Sequence, residues 1–208
     1  MKPFVFRHGS GLWPTGETLL HVYAVPDLDE DRALASLVAG CRKALDGSPL
    51  TFVADRWLHI TVAQIADTYG RNYSAGDRRQ LAAELERDLA AVEPFTLTVG
   101  SCLAQTSVVM FDTSPDDEIN HLTRVVYDVL GRVRGPEALK YPAGIAHLTL
   151  GYANGEADSE GVQRALRQVR PSHAPMTVRE VQLVDVTADP DAKTITWEPV
   201  ARIPLGGR

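Results

Sequence analysis

Two tetrapeptides of one pattern, His59-Ile60-Thr61-Val62 and His147-Leu148-Thr149-Leu150, lie 88 residues apart, and the same offset superimposes much of the chain around them. It brings Leu20 onto Val108, Val22 onto Met110 and Tyr23 onto Phe111. It brings Asp29-Glu30 onto Asp117-Glu118, and Leu34, Leu37, Val38 and Cys41 onto Leu122, Val125, Val126 and Val129. A strand, a helix and a second strand therefore match without a gap. A chain that repeats itself in this way is read as two structurally similar halves.

The pattern of apolar residues fills in the rest of each half. Thr18 to Val25 is rich in β-branched and aromatic residues and stops at Pro26, which predicts a strand. Acids at Asp27, Asp29, Glu30 and Asp31 open a helix that Gly47 closes. A second strand falls within Leu50 to Ile65, a helix over Asp77 to Val92, and a third strand over Phe95 to Ser101. The order then recurs: a strand over Thr106 to Phe111, a helix after Pro115, a strand over Ile145 to Tyr152, a helix over Asp158 to Val169 and a strand over Met176 to Val186. A last strand, Thr194 to Leu205, is interrupted by Pro199. The expected fold class is α+β, with duplicated β-α-β-α-β halves over residues 18–101 and 105–205 of one domain spanning 1–208.

On a strand, residues i and i+2 share a face. His59 and Thr61 therefore project together with Ile60 and Val62 behind them, and His147 and Thr149 do the same in the second half. If a pseudo-twofold axis relates the halves, the two His/Thr pairs face one another. That suits phosphoryl transfer, in which attack and departure are roughly in line and catalytic groups are wanted on opposite sides. One imidazole can accept a proton while the other donates one, and the threonine hydroxyls can hold the phosphate oxygens. Trp57 stands two residues before His59 and is a candidate platform for a nucleobase, or else a wall of the core. Arg7, Arg71 and Arg134 are loop candidates for phosphate.

The paired motifs on two β-α-β-α-β halves resemble the two-histidine (2H) phosphoesterase superfamily, in particular its 2′-5′ RNA ligase and cyclic phosphodiesterase branch. The resemblance covers nearly the whole chain after Thr18. It implies a bilobed fold with a central cleft, and hydrolysis of a 2′,3′-cyclic phosphate or of a 2′-5′ or 3′-5′ phosphodiester. It also implies RNA ends or small cyclic nucleotides as substrates. By the same resemblance His59 is the general acid, His147 the general base, and Thr61 and Thr149 hold phosphate, with acid and base exchanged for the opposite reaction direction. Members often carry proline before the second histidine; this chain has Ala146.

Composition narrows the alternatives. A net charge of −6 argues against coating duplex DNA, which requires many phosphates to be neutralised. No apolar run approaches the length of a bilayer span, and the start of the chain lacks a secretory pattern, so a cytoplasmic protein, and a monomer, is expected. Two cysteines support neither a disulfide scaffold nor a zinc cluster. A metal hydrolase would need a His-Glu-x-x-His pattern or a carboxylate cluster near the motifs, which is missing, so no cofactor is expected. A binding module without turnover is the remaining competitor. His121-Leu122-Thr123 also spells His-x-Thr but sits in a helical pattern, and His8 and His173 fall in loops.

Overall fold

The computed structural model describes residues 1–8, 11–142 and 144–207. In chain order the strands are β1 (Arg7–His8), β2 (Gly11–Leu12), β3 (Leu19–Ala24), β4 (Leu50–Phe52), β5 (Ile60–Gln64), β6 (Phe95–Ala104), β7 (Val108–Ser114), β8 (His147–Ala153), β9 (Ala174–Val178), β10 (Glu180–Asp189) and β11 (Thr194–Pro204). The α-helices are α1 (Arg32–Ala44), α2 (Ala75–Leu89), α3 (Asp116–Arg134) and α4 (Ser159–Leu166). Helices α3 and α4 begin where the sequence signals them, whereas α1 begins at Arg32 with no acid in its first turn and α2 at Ala75, ahead of Asp77. Ser74 and Asp77 form a capping box on α2, and Asp116, Asp117 and Glu118 place negative charge at the start of α3.

One nine-stranded antiparallel sheet runs in the order β11-β10-β3-β5-β8-β7-β6-β9, with β4 added beside β8. Strands β9 and β10 stand near opposite ends of this order, yet only Arg179 separates them in the chain. A single residue cannot bridge a flat sheet of this width, so the sheet must curl into a half-barrel that brings its ends together. Helices α2 and α3 pack on the flank containing β5 and β11, and α1 and α4 on the flank containing β6 and β9. The two sequence repeats interleave in this arrangement. The first repeat's β6 pairs with β7 of the second, and the second repeat's β10 pairs with β3 of the first.

The flanks meet where β5 and β8 pair at one position, Ile60 opposite Leu148. These two residues are themselves related by the 88-residue offset, so the pseudo-twofold axis passes beside this pair. Both are fully buried. Beyond that point β8 is taken up by β4, with Leu50 opposite Ala153. The partner register then skips Val62 in β5 and Leu150 in β8, residues again 88 apart. The two motifs thus carry equivalent bulges.

Three expectations change. The strand expected within Leu50 to Ile65 is two strands, because β4 leaves to pair with β8 and a 3-10 turn, Asp55–Trp57, links it to β5. The strand expected over Met176 to Val186 is also two, because the chain crosses between sheet ends at Arg179. The gapless match of the first strands slips by one residue: Tyr23 faces Thr61, whereas Met110, not Phe111, faces Thr149. All six residues of β3 are buried, so the strand has no inside/outside alternation that would reveal the slip. The segment ahead of β3 is also fastened down. The backbone N–H groups of Lys2 and Phe4 donate to the carbonyls of Thr106 and Ala153, and Phe6 and Trp13 are buried.

Truncating the hinge pair should be costly. Ile60→Ala and Leu148→Ala should each remove about 2–5 kcal/mol of stability, the usual result of opening a cavity at a fully buried aliphatic site. Ile145→Ala, at a residue 78% exposed, should change it by less than about 0.5 kcal/mol. Urea unfolding of the three variants checks the contrast.

Candidate active site

Because Ile60 faces Leu148 across an antiparallel pair, the residues on either side of each are also cross-strand neighbours: His59 lies across from Thr149 and Thr61 from His147. All four side chains therefore share the sheet face opposite to Ile60 and Leu148. His59 and Thr149 are buried, and His147 and Thr61 are half-buried.

The two imidazoles are held in the same way. His59 Nδ1 bonds the carbonyl of Trp57 at 2.8 Å, and His147 Nδ1 bonds the carbonyl of Ile145 at 2.8 Å. A carbonyl can only accept, so Nδ1 carries the proton in each ring. Nε2 is then the nitrogen available for proton exchange in the neutral form. The Tyr152 phenol stands beside Thr149.

Their surroundings differ. The Tyr23 ring stacks on His59 with centroids 3.9 Å apart and an interplanar angle of 20°. The Trp197 ring meets His59 edge-on at 5.2 Å. Burial pushes the His59 imidazole down to about 4, against the opposing pull of the Trp57 carbonyl, with a further lowering from His147. His21, bonded through Nδ1 to the Tyr23 hydroxyl at 2.6 Å, is pushed by burial down to about 3. Behind it stand Trp13 and His8, the latter also lowered by burial and against Tyr141.

The other candidates sort clearly. Trp57 is not on the motif strand; it ends the 3-10 turn Asp55–Trp57, because the chain must bend there between two diverging strands. It is half-buried, packs edge-on to Trp197 at 4.7 Å and carries the Arg56 guanidinium over its face. Arg71 is paired with Glu17, and Arg134 with Asp67 at 2.6 Å, so both are tied to carboxylates. His121 lies exposed on α3, and His173 is exposed; His8 is half-buried and pairs in β1 rather than lying in a loop. Tyr23, Tyr152 and Trp197 had no motif to announce them, although the alternation His21, Tyr23 on β3 could have drawn attention to the first.

The profile of the 2′-5′ RNA ligase superfamily matches residues 28–190, which is most of the chain and includes both motifs. The chain belongs to this superfamily, the 2H phosphoesterases. Solved structures agree on the 2H fold. TT0787 of Thermus thermophilus superimposes with a TM-score of 0.64 at 16% identity, covering 91% of this chain and 98% of its own. E. coli LigT in its apo form gives 0.63 at 17% identity, with 91% and 98% covered. E. coli LigT complexed with 3′-AMP gives 0.64 at 17% identity, again with 91% and 98% covered. No curated protein matches. The 2H chain here has no helix long and apolar enough to cross a membrane among its described residues.

Buried neutral histidines make stability depend on pH. In the unfolded chain His21 and His59 take up protons near 6.5; in the folded protein they do so only near 3 and 4. Their contribution is complete above the unfolded value and is lost as pH falls through the window between the two. Each should remove about 1.4 kcal/mol per pH unit in that window. Unfolding free energies that stay level from about pH 7 to about pH 5 would contradict this burial.

Proposed function

We propose that this protein is a metal-independent phosphoesterase that opens a 2′,3′-cyclic phosphate, or cleaves a 2′-5′ or 3′-5′ phosphodiester, on RNA ends or small nucleotides. The observation that carries this reading is the matched pair of imidazoles, each anchored by Nδ1 to the carbonyl two residues back and each beside a threonine of the other motif. Structures of E. coli LigT complexed with 3′-AMP, with phosphate and with ATP, proteins of the same fold, support a nucleotide-sized ligand. Among the described residues no three His, Cys, Asp or Glu side chains are grouped to hold a metal ion, and the reading gives proton transfer to the imidazoles.

In the free protein His59 rests neutral, with Nε2 as an acceptor. It takes the proton of the attacking water or ribose hydroxyl as the new P–O bond forms. His147, the more exposed ring, is the acid and gives a proton from Nε2 to the leaving oxygen as the old P–O bond breaks. The order is the reverse of the one the resemblance implies, and it follows from the difference in burial. Thr61 and Thr149 donate to the equatorial phosphate oxygens. Trp57 flanks the base side of the site, where one half-buried face could stack on a nucleobase.

A panel of nucleoside 2′,3′-cyclic phosphates and 2′-5′ and 3′-5′ linked oligonucleotides, followed by identification of the phosphomonoester formed, tests the activity and names the bond. Absence of turnover on the whole panel would favour a binding module. Turnover should survive excess chelator; loss restored by added metal would replace the reading with a metal hydrolase. His59→Ala and His147→Ala should each lower kcat by about 10²–10⁴-fold. The double variant should lose less than the sum of the two in free energy. Thr61→Ala and Thr149→Ala should cost less than either histidine.

The pH profile separates the two assignments. kcat/KM reports the free enzyme. With His59 as base, its acid limb should lie near pH 4. With His59 as acid, kcat/KM would already decline as pH rises above that value.

A further inference from the structure

The repeat makes the two motifs equivalent, but the residues opposite them are not. Tyr23 faces Thr61 on β5, and Met110 holds the matching place facing Thr149 on β8. In both cases the histidine lies two residues back along the motif strand. We propose that Tyr23 is a positioning residue that makes the two repeat-related histidines inequivalent, by stacking flat on the His59 imidazole where the second repeat offers only the flexible side chain of Met110.

The inference rests on the reading of His59 and His147 as a proton-transfer pair. The Tyr23 ring is itself immobilised. It is 1% exposed, its hydroxyl is hydrogen-bonded to His21 Nδ1 at 2.6 Å, and Trp197 meets its edge at 5.1 Å. A ring fixed at both ends and lying 3.9 Å from the imidazole shuts water from one face of His59 and leaves it a single orientation. Trp197 closes a second side. Among the described residues no aromatic ring lies against His147, which is half-buried and has the exposed Asp112 as its cross-strand partner on β7. Desolvation disfavours a charged imidazole, so the aromatic wall selects the neutral form on one side of the axis only.

The titratable groups facing His59 are His21 and Tyr23 from β3 and His147 from β8. His21 is held neutral by burial, and the Tyr23 phenol is raised well above its ordinary value, so neither brings charge. Strand β11 presents the uncharged Trp197, and Arg56 from the preceding turn lies over the Trp57 ring. The ring beside His59 therefore adds its desolvation to the lowering from His147, against the pull of the Trp57 carbonyl.

NMR titration of the imidazole resonances in the full chain, assigned with His59→Gln and His147→Gln, tests this without any substrate. In the unsubstituted protein the His59 midpoint should lie below that of His147; coincident midpoints overturn the proposal. Tyr23→Met, which installs the second repeat's residue, should raise the His59 midpoint by about one pH unit or more, and the acid limb of kcat/KM should follow it. Tyr23→Phe keeps the stacked ring and should leave the midpoint near its original place. Met110→Tyr, at a half-buried position, should lower the His147 midpoint. A folded Tyr23→Met whose His59 midpoint does not move overturns the proposal. Where that variant fails to fold, a Met110→Tyr whose His147 midpoint does not move does the same. Midpoints that behave as stated in a protein that turns over nothing would sink the phosphoesterase reading and leave the inference about Tyr23 standing.

Discussion

The cross-strand pair of Ile60 and Leu148 is the point on which the rest of the structure turns. It is the one position where β5 meets β8, and it relates the two repeats to each other. Strand alternation does the remainder. With these two aliphatic side chains buried on one face, their neighbours His59, Thr61, His147 and Thr149 must stand on the other, with each histidine across from the opposite motif's threonine. A slip of one residue at this pair would turn the four polar side chains into the core and expose the aliphatic ones. Full burial of the aliphatic pair makes that slip expensive. The register is therefore enforced by the core, and the site inherits its geometry from it.

The symmetry that builds the site is then broken by what lies around it. The lead-in places Trp13 and His8 behind His21, β3 supplies Tyr23, and β11 supplies Trp197. Together they dry one imidazole and leave the other half-exposed. Such a difference gives direction to chemistry in which one group accepts a proton while its twin donates one, because desolvation favours the neutral form on one side. The cost appears in stability as pH falls, since the folded protein refuses protons that the unfolded chain accepts.

Legibility in the sequence followed the strength of the local signal. Helices α1 and α3 are readable because Leu34, Val38 and Cys41, and Leu122, Val126 and Val129, recur at helical spacing and are all buried. The division of Leu50 to Ile65 and of Met176 to Val186 is not readable, because both breaks are imposed by which distant strand is available to pair, not by a proline or glycine. Trp57 reads as a strand residue for the same reason: nothing in Asp55-Arg56-Trp57 announces a 3-10 turn, and the turn exists because β4 and β5 must diverge. The curl of the sheet likewise follows from the closeness of β9 and β10 in the chain once their places in the sheet are known.

By itself the sequence determined the duplicated framework, the four motif residues and the face they share, because a strand repeats every two residues and the offset of 88 carries one motif onto the other. Only the tertiary structure decided that Ile60 pairs with Leu148, that the third strand of each repeat is lent to the other, and that Tyr23 rather than its apparent counterpart Phe111 occupies the place beside a histidine. The reason is physical. Side-chain period is a property of a single strand, whereas register and enclosure are properties of pairs of strands brought together from far apart in the chain, and the rings that dry His59 come from β3 and β11, whose order in the sequence says nothing of their meeting in space.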